Sequence, residues 1–276
     1  MLTQLRTSFL LTLTLFAASA SAGTLYVATF SGQFGTVDPT TGAFSQIGPT
    51  TADPLGGLVP GLNGFLGISF SGNLDSVNPA TGAISVIGAT GLGYSALDTA
   101  ELGGMVYATD FSNNLYTVNT ATGAATLIGY TGIPPAPELI DPADFCDEAL
   151  FAAGGNLYAT FDGIDGTTLA PVINPELYQI NPSTGAATPL ASTSLFLNAA
   201  VDVNGTVYAF QTQPSTLTSD VFSLDLATGN TTFIASVDST ASFIDGAAAT
   251  PEPTTITLAG VGIAAILISR RRRRRS

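Results

Sequence analysis

The hydrophobic positions of this 276-residue chain fall in short runs separated by turn residues, without the 3.6-residue period of a helix. One pattern, two strand-like runs around a Thr-Gly turn, occurs five times. The copies are FGTVDPTTGAFSQIG from Phe34, LDSVNPATGAISVIG from Leu74, LYTVNTATGAATLIG from Leu115, LYQINPSTGAATPLA from Leu177 and VFSLDLATGNTTFIA from Val221. Each copy predicts a β-hairpin.

The residue types at the turn support this prediction. In every copy an Asp or Asn lies four residues before a glycine: Asp38 and Gly42, Asn78 and Gly82, Asn119 and Gly123, Asn181 and Gly185, Asp225 and Gly229. The Asx side chain can accept a hydrogen bond from the backbone that follows it, and glycine adopts the left-handed conformation readily. The turn of each hairpin is therefore specified by its chemistry.

A further strand-like segment precedes each hairpin. These segments are LYVATF at Leu25, FLGISF at Phe65, MVYATD at Met105, NLYATF at Asn156 and TVYAFQ at Thr206. Four of them follow a Gly-Gly or Asn-Gly dipeptide, which is typical of tight hairpins. Short apolar stretches such as SALDTAEL and FLNAAVDV come before those dipeptides. Each unit thus contains four short antiparallel strands, which we name A to D in chain order.

Successive repeat glycines lie 40, 41, 62 and 44 residues apart. Four strands per unit at this period predict an all-β fold, a β-propeller with five blades. The segment GTLYVAT from Gly23 resembles a B strand, and ASFIDGAAA from Ala241 resembles an A strand without a successor. Pairing these two ends would complete the first blade and close the ring. The alternative is an open solenoid, which would need polar caps instead of matched ends.

The N-terminus carries a targeting feature. Residues 1–22 combine Arg6, an apolar stretch and an A-x-A arrangement at Ala20 and Ala22, which predicts a helical signal peptide and export through the Sec pathway. An N-terminal membrane anchor is the alternative, but the apolar run is shorter than the roughly 20 residues that a spanning helix needs. The body of the protein would then be residues 23–250.

The C-terminus combines an apolar segment with a basic cluster formed by Arg270, Arg271, Arg272, Arg273, Arg274 and Arg275. Residues 254–269 would reach about 24 Å as a helix, so they could only just span a hydrocarbon core of about 30 Å. We expect a C-terminal transmembrane helix whose arginines stay on the cytoplasmic side, because anionic lipid and the insertion machinery hold positive charge there. The body would lie outside the inner membrane.

The order of Pro251-Glu252-Pro253, an apolar segment and a terminal arginine cluster resembles the PEP-CTERM sorting signal of Gram-negative bacteria. The resemblance covers residues 251–276. It implies transient anchoring in the inner membrane and recognition by an exosortase, a membrane peptidase that cuts near the Pro-Glu-Pro motif. Proteins with this signal often accompany exopolysaccharide or biofilm genes, so the resemblance also implies a cell-surface or extracellular destination.

The body contains no Lys, Arg or His, because Arg6 and the C-terminal cluster account for all seven basic residues. All acidic residues except Glu252 lie in it, so the body is far more acidic than the net charge of −13 for the whole chain. Such a surface repels anionic lipid and excludes nucleic acid as a partner. It tolerates divalent cations or positively charged polymers. The single cysteine, Cys146, cannot form an internal disulfide.

The absence of histidine excludes Ser-His-Asp, Cys-His and HExxH sites, and neither a P-loop lysine nor a dinucleotide-binding GxGxxG is present. Paired carboxylates, as in glycosidases, remain as catalytic groups. Asp98, Asp147, Asp202 and Asp245 fall in predicted innermost strands and could line the central channel. Solvated or turn-bonding roles are the alternative, and they are commoner for aspartate.

The longest repeat spacing arises from two long connections, TGIPPAPELIDPADFCDE from Thr131 and DGIDGTTLAPVINPE from Asp162, predicted to emerge on the same face of the ring. Both are rich in acidic residues, and Ca²⁺ prefers carboxylate and carbonyl ligands. A Ca²⁺ site is therefore a hypothesis, although DGIDG lacks the third acid and the closing Glu of an EF-hand. Its candidate ligands are Asp141, Asp144, Asp147, Asp162 and Asp165.

These observations favour an exported, non-catalytic propeller of the cell surface or extracellular matrix. Its partners would be exopolysaccharide or surface proteins, bound at the face with the long connections. The alternative is a secreted glycosidase or lyase that uses channel carboxylates. Two carboxylates in the channel beside exposed aromatic side chains would favour the enzyme, whereas a channel lined by small or apolar residues would favour the structural role.

Overall fold

A computed structural model of the chain describes residues 24–93, 96–133, 148–164, 171–213 and 216–249. Within these ranges there are 20 β-strands, and no helix there is long and apolar enough to cross a membrane. In chain order the strands are β1 (Leu25–Thr29), β2 (Phe34–Val37), β3 (Phe44–Gln46), β4 (Val59–Gly61), β5 (Gly64–Ile68), β6 (Asn73–Val77), β7 (Ile84–Ala89), β8 (Ala96–Leu102), β9 (Met105–Asp110), β10 (Asn114–Val118), β11 (Ala125–Tyr130), β12 (Glu148–Ala153), β13 (Asn156–Ile164), β14 (Pro171–Ile180), β15 (Ala187–Ser192), β16 (Leu197–Val203), β17 (Thr206–Gln213), β18 (Thr218–Leu224), β19 (Thr231–Ser236) and β20 (Ile244–Ala249).

The strands form five four-stranded antiparallel sheets, the blades of a propeller. Blade 2 is β4-β5-β6-β7, from the innermost strand A to the outermost strand D, and blades 3 to 5 repeat this order along the chain. Blade 1 is β20-β1-β2-β3, in which Ala249 lies opposite Leu25 and Ala248 opposite Tyr26. The predicted five-bladed ring, closed by pairing the two ends of the body, is confirmed, and the open solenoid is excluded.

The hydrophobic core is divided into five clusters, each between two adjacent blades. Between blades 1 and 2, Phe34 and Phe65 are buried, and the ring of Tyr26 lies 4.6 Å from that of Phe65. Between blades 5 and 1, Phe210 packs in one cluster with Ile244. Every blade therefore buries apolar surface against both neighbours, which is the main favourable contribution to the stability of the ring.

The five C–D turns share the geometry that the sequence predicts. In each turn Oδ1 of the Asx residue accepts a hydrogen bond from the backbone N–H two residues later, at 2.8 or 2.9 Å. The turn glycine donates its N–H to the carbonyl of the same Asx residue at 2.8 Å and has a φ between 66° and 83°. The Asx residue and the glycine thus have the predicted roles.

The turn glycines have a second role, which is to join the blades. A Cβ on Gly82 would overlap the carbonyl oxygen of Ile47, just after β3 in the preceding blade. The four equivalent glycines approach the outer part of the preceding blade in the same way: Gly42 at Ser236, Gly123 at Gly88, Gly185 at Gly129 and Gly229 at Ser192. The contact of Gly42 crosses the ring closure. A side chain at these positions would push adjacent blades apart.

Blade 4 differs from the prediction in its B and C strands. β13 and β14 have 9 and 10 residues, whereas β1 and β2 have 5 and 4. Gly163 pairs with Ile173, and Ile164 pairs with Pro171. The prediction that residues 162–176 form a connecting loop is therefore wrong where the ladder continues. Continued backbone pairing satisfies hydrogen-bonding groups that a loop would leave to solvent.

Candidate functional site

The two faces of the ring carry different connections, because neighbouring strands are antiparallel. The A–B and C–D turns lie on one face, which we call the hairpin-turn face. The B–C turns and the connections from strand D to the next strand A lie on the other, which we call the loop face. Both long connections, whose residues 134–147 and 165–170 lie outside the described residues, start and end at the loop face.

The B–C turns of blades 1 to 3 follow one pattern: Thr29-Phe30-Ser31-Gly32, Ser69-Phe70-Ser71-Gly72 and Asp110-Phe111-Ser112-Asn113. The fourth residue has a φ of 83°, 82° or 57° and donates its N–H to the carbonyl of the first at 2.7 or 2.8 Å. The phenylalanine at the second position is left near the surface, and Phe30 and Phe111 are 47% and 41% exposed. This repeat is not among the sequence-based predictions, although Phe-Ser-Gly or Phe-Ser-Asn after a B strand is a readable signal.

Three phenylalanines of the loop face contact one another, and we call Phe30, Phe70 and Phe243 the phenylalanine cluster. The rings of Phe30 and Phe243 are stacked, with centroids 4.6 Å apart and an interplanar angle of 21°. The ring of Phe70 lies 5.5 Å from that of Phe30 at 58°. The backbone N–H of Phe30 donates to the carbonyl of Phe243 at 3.0 Å. This hydrogen bond holds the backbones of the stacked pair together.

A polar groove of about 420 Å³ lies beside the phenylalanine cluster. Hydroxyl and amide side chains dominate its lining, among them Ser31, Gln33, Thr50, Thr216, Ser239 and Ser242. Ser31 and Ser242 are the chain neighbours of Phe30 and Phe243, and the hydroxyl of Ser242 lies 2.8 Å from that of Ser31. The amide of Gln33 donates to the carbonyl of Thr240 at 3.0 Å. The loop face thus offers aromatic surface next to a preorganised set of hydrogen-bonding groups.

Two buried carboxyl groups lie near the loop end of the innermost strands. Asp98 is 5% exposed, and its two oxygens accept hydrogen bonds from the N–H groups of Thr99 at 2.6 Å and Leu150 at 2.7 Å. Burial raises the pKa of Asp98 well above its usual value, and the charges of Glu148 and Asp245 raise it further. Burial also raises the pKa of Glu148 to about 8. Glu148 is therefore mostly protonated at neutral pH, and burial favours the protonated form of Asp98 as well.

The central channel is narrow and lined by small residues. Its cavity measures about 140 Å³, and alanines contribute much of the lining, including Ala100, Ala152, Ala200 and Ala247. Two of the described lining residues are acidic, and both bind the backbone of an A–B turn: Glu101 accepts from Gly104 and Asp202 from Gly205. A channel lined by small residues favours a structural role over a glycosidase or lyase.

Asp98, Asp202 and Asp245 do lie in innermost strands, as predicted. The turn-bonding role is confirmed for Asp202, whereas Asp98 is buried and bonded to strand backbone rather than solvated or in a turn. A Cβ on Gly57 would come within 2.6 Å of Oδ1 of Asp98, so the segment before β4 covers this carboxyl group. Asp147 lies outside the described residues.

The candidate Ca²⁺ ligands are not brought together by anything in the described part of the chain. Asp162 lies in β13 and is 0% exposed. Asp141, Asp144, Asp147 and Asp165 lie outside the described residues, as do Cys146, the Pro-Glu-Pro motif and the arginine cluster. Among the described residues, no group of three or more His, Cys, Asp or Glu side chains could hold a metal ion. The Ca²⁺ site stays a prediction.

One comparison with known protein families finds a match at the C-terminal tail. Residues 249–274 match the family described as the PEP-CTERM protein-sorting motif. The protein is therefore a five-bladed β-propeller with a PEP-CTERM tail that fits a C-terminal transmembrane anchor, and this signal implies export to the cell surface through a membrane-anchored intermediate processed by an exosortase.

No curated protein is similar in sequence to this chain. Among solved structures, the crystal structure of Myxococcus xanthus glutaminyl cyclase is similar with a TM-score of 0.38 and 19% sequence identity. The similarity covers 67% of this chain and 70% of that chain, and it bears on neither activity nor substrate.

Proposed function

We propose that this protein is a non-catalytic component of the cell surface or extracellular matrix that binds polysaccharide on its loop face. The observation that carries the proposal is the stacked pair Phe30 and Phe243, which adjoins a groove lined by hydroxyl and amide groups. Aromatic faces pack against the C–H faces of sugar rings, while hydroxyl and amide groups bond the sugar hydroxyls. The phenylalanine cluster supplies the aromatic faces, and the groove beside it supplies the hydroxyl and amide groups.

The charge of the body restricts the class of polysaccharide. The body has no basic side chain, so it cannot pair with the carboxylates or sulfates of an anionic polymer. Neutral polymers and polymers of free amino sugars remain, and the second kind would gain from the acidic surface. We therefore assign neutral or amino-sugar exopolysaccharide as the ligand class.

A glycan array probed with residues 23–250 tests the proposal, followed by calorimetry on the best ligand. Phe30→Ala should weaken binding about fivefold, since an aromatic contact contributes on the order of 1 kcal/mol. The matched control is Phe233→Ala, because Phe233 is 55% exposed but lies on the outermost strand β19, away from the groove. Equal losses in both variants, or no loss in Phe30→Ala, would contradict the proposed site.

The enzyme alternative needs two carboxyl groups that reach substrate. Asp98 and Glu148 are 5% and 6% exposed, and the channel beside them is lined by small residues, so this alternative has less support. It is tested by assaying the bound polymer for new reducing ends. Cleavage that disappears in Glu148→Gln, with binding unchanged, would establish the enzyme and replace the non-catalytic role.

We also propose the processing that the two tips indicate. Residues 1–22 would be removed after Sec-dependent export in a Gram-negative cell, and an exosortase would cut near Pro251, Glu252 and Pro253. The six arginines, Arg270 to Arg275, would hold the intermediate at the cytoplasmic side until then. Mass spectrometry of the extracellular protein should find a chain that starts at Gly23 and lacks the arginines. An extracellular form that retains them would contradict this order of events.

A further inference from the structure

Both ends of the propeller body leave the ring on the hairpin-turn face. Strand A of each blade runs from the loop face to the hairpin-turn face, as β8 does when it ends at Leu102 before the A–B turn. β20 is strand A of blade 1 and ends at Ala249, directly opposite the first residue of β1, Leu25. The sorting signal therefore starts from the centre of the hairpin-turn face.

The chain between the ring and the membrane segment is short. Only residues 250–253 separate Ala249 from the apolar run that begins near residue 254. Five residue steps cover at most about 18 Å when fully extended. The headgroup layer on one side of a bilayer takes up roughly 5–8 Å of that length. The end of β20 is thus held within roughly 10–13 Å of the lipid surface.

We propose that, in the tail-anchored intermediate, the hairpin-turn face lies against the outer surface of the inner membrane and the loop face is turned away from it. Because the ring is closed, a tether this short at the centre of one face keeps that face turned towards the lipid. The groove and the phenylalanine cluster are then directed outward before the tail is cut. This inference rests on the anchoring implied by the tail and is independent of which ligand the loop face binds.

The hairpin-turn face has apolar tips that suit contact with lipid. Leu62, at the A–B turn of blade 2, is 100% exposed, and Met105, beside the A–B turn of blade 3, is 49% exposed. A cleft of about 770 Å³ lies between these two turns and is lined by both apolar and polar side chains, among them Glu101. The body has no basic residue, and Asp38 and Asp225 are exposed on this face, so anionic headgroups repel it. The tether and the apolar tips, rather than charge, hold this face at the bilayer.

Depth-dependent fluorescence quenching in proteoliposomes tests the orientation. The full chain, anchored by its own tail in zwitterionic vesicles without an exosortase, would carry one labelled cysteine in a Cys146→Ser background. Leu62→Cys reports the hairpin-turn face, and Ser239→Cys, an exposed position of the loop face, is the matched control. Lipids spin-labelled at the headgroup should quench the Leu62→Cys label at least twofold more than the Ser239→Cys label. Equal quenching, or stronger quenching at Ser239→Cys, would overturn the proposal.

A second variant tests the cause. Insertion of 20 Gly and Ser residues between Thr250 and Pro251 releases the ring from the bilayer without changing any described residue. The difference in quenching between the two labels should then fall to within error. Persistence of the difference would show that the short tether does not set the orientation. Thermal melts identical to that of the parent chain confirm that each labelled variant keeps its ring.

Discussion

The hairpin-turn face and the loop face are built from the same five blades, yet they differ in how uniform they are. On the hairpin-turn face all five C–D turns use an Asx acceptor and a left-handed glycine that packs on the preceding blade. On the loop face, blades 1 to 3 share a phenylalanine turn, whereas blade 4 extends its B–C hairpin to strands of 9 and 10 residues.

This difference indicates what each face does. Uniform turns are required wherever adjacent blades must pack at the same distance, so their residues serve the ring. Connections that do not contact the next blade in the same way are free to differ, and binding groups are usually found on such connections. The acidic groups follow the same division: those of the C–D turns are exposed, and those near the loop end of the channel are buried.

The largest expected effect concerns pH and the loop face. The pKa of Glu148 is raised by burial from 4.5 to about 8. Between these two pH values the folded protein keeps a proton on Glu148 that the unfolded chain has released. This contribution to stability is fully present below about pH 4.5 and is lost as the pH rises through about 8. Glu148→Gln should therefore stabilise the protein at pH 9 by roughly 5 kcal/mol and change little at pH 4.5. Urea unfolding at both pH values measures this.

The hairpin-turn face supplies the contrast. The pKa of Asp225 is lowered, mainly by the hydrogen bond from the N–H of Ala227, so its contribution is present above about pH 3.8 and is lost as the pH falls. Asp225→Asn should remove pH dependence only in that acidic range. If both variants changed stability in the same pH range, the two faces would not differ electrostatically as described.

The second prediction separates the two roles of the turn glycines. Gly82 and Gly103 both have positive φ, 66° and 63°, but a Cβ on Gly82 would overlap the carbonyl of Ile47, whereas a Cβ on Gly103 has nothing within 4 Å. Gly103→Ala should lower the free energy of unfolding by about 1 kcal/mol, the cost of a left-handed alanine. Gly82→Ala should lower it by roughly 3 kcal/mol, because blades 1 and 2 must also separate.

Chemical denaturation of the two alanine variants measures the difference, and the slope of unfolding free energy against urea should stay constant. Equal destabilisation of the two variants would mean that the close approach of Gly82 to blade 1 adds nothing to stability. The glycines of the hairpin-turn face would then be explained by turn conformation alone.

The smallest effect concerns the Asx acceptor. Oδ1 of Asn119 accepts a hydrogen bond from the N–H of Ala121 at 2.9 Å on an exposed turn. Asn119→Ala removes this bond and should cost about 1 kcal/mol in thermal or urea unfolding. Asn119→Asp should be nearly neutral, because Asp38 and Asp225 fill the same position in blades 1 and 5. A larger loss in the aspartate variant than in the alanine variant would contradict the role of the acceptor.

Most of the fold could be predicted because its signals are local. Asx-to-glycine spacing specifies each C–D turn within five residues, and the unmatched strand near Ala249 predicts how the ring closes. For the candidate site, the sequence predicted only which face of the ring carries it, and not the residues that form it. Phe243 and Phe30 are separated by most of the chain, so their stacking is visible only after β20 pairs with β1. The burial of Glu148 likewise depends on neighbouring blades.

The amino-acid sequence by itself determines the number of blades, the chemistry of the turns and, through Pro251-Glu252-Pro253 and the arginines, the sorting of the protein. These properties depend on residues close together in the chain, whose conformations and recognition need no distant partner. Only the tertiary structure decides that Glu148 stays protonated at neutral pH and that Phe30 and Phe243 stack. It also decides from which face of the ring the C-terminal tail extends. Each of these depends on desolvation or contact between segments that the chain brings together only when the ring closes.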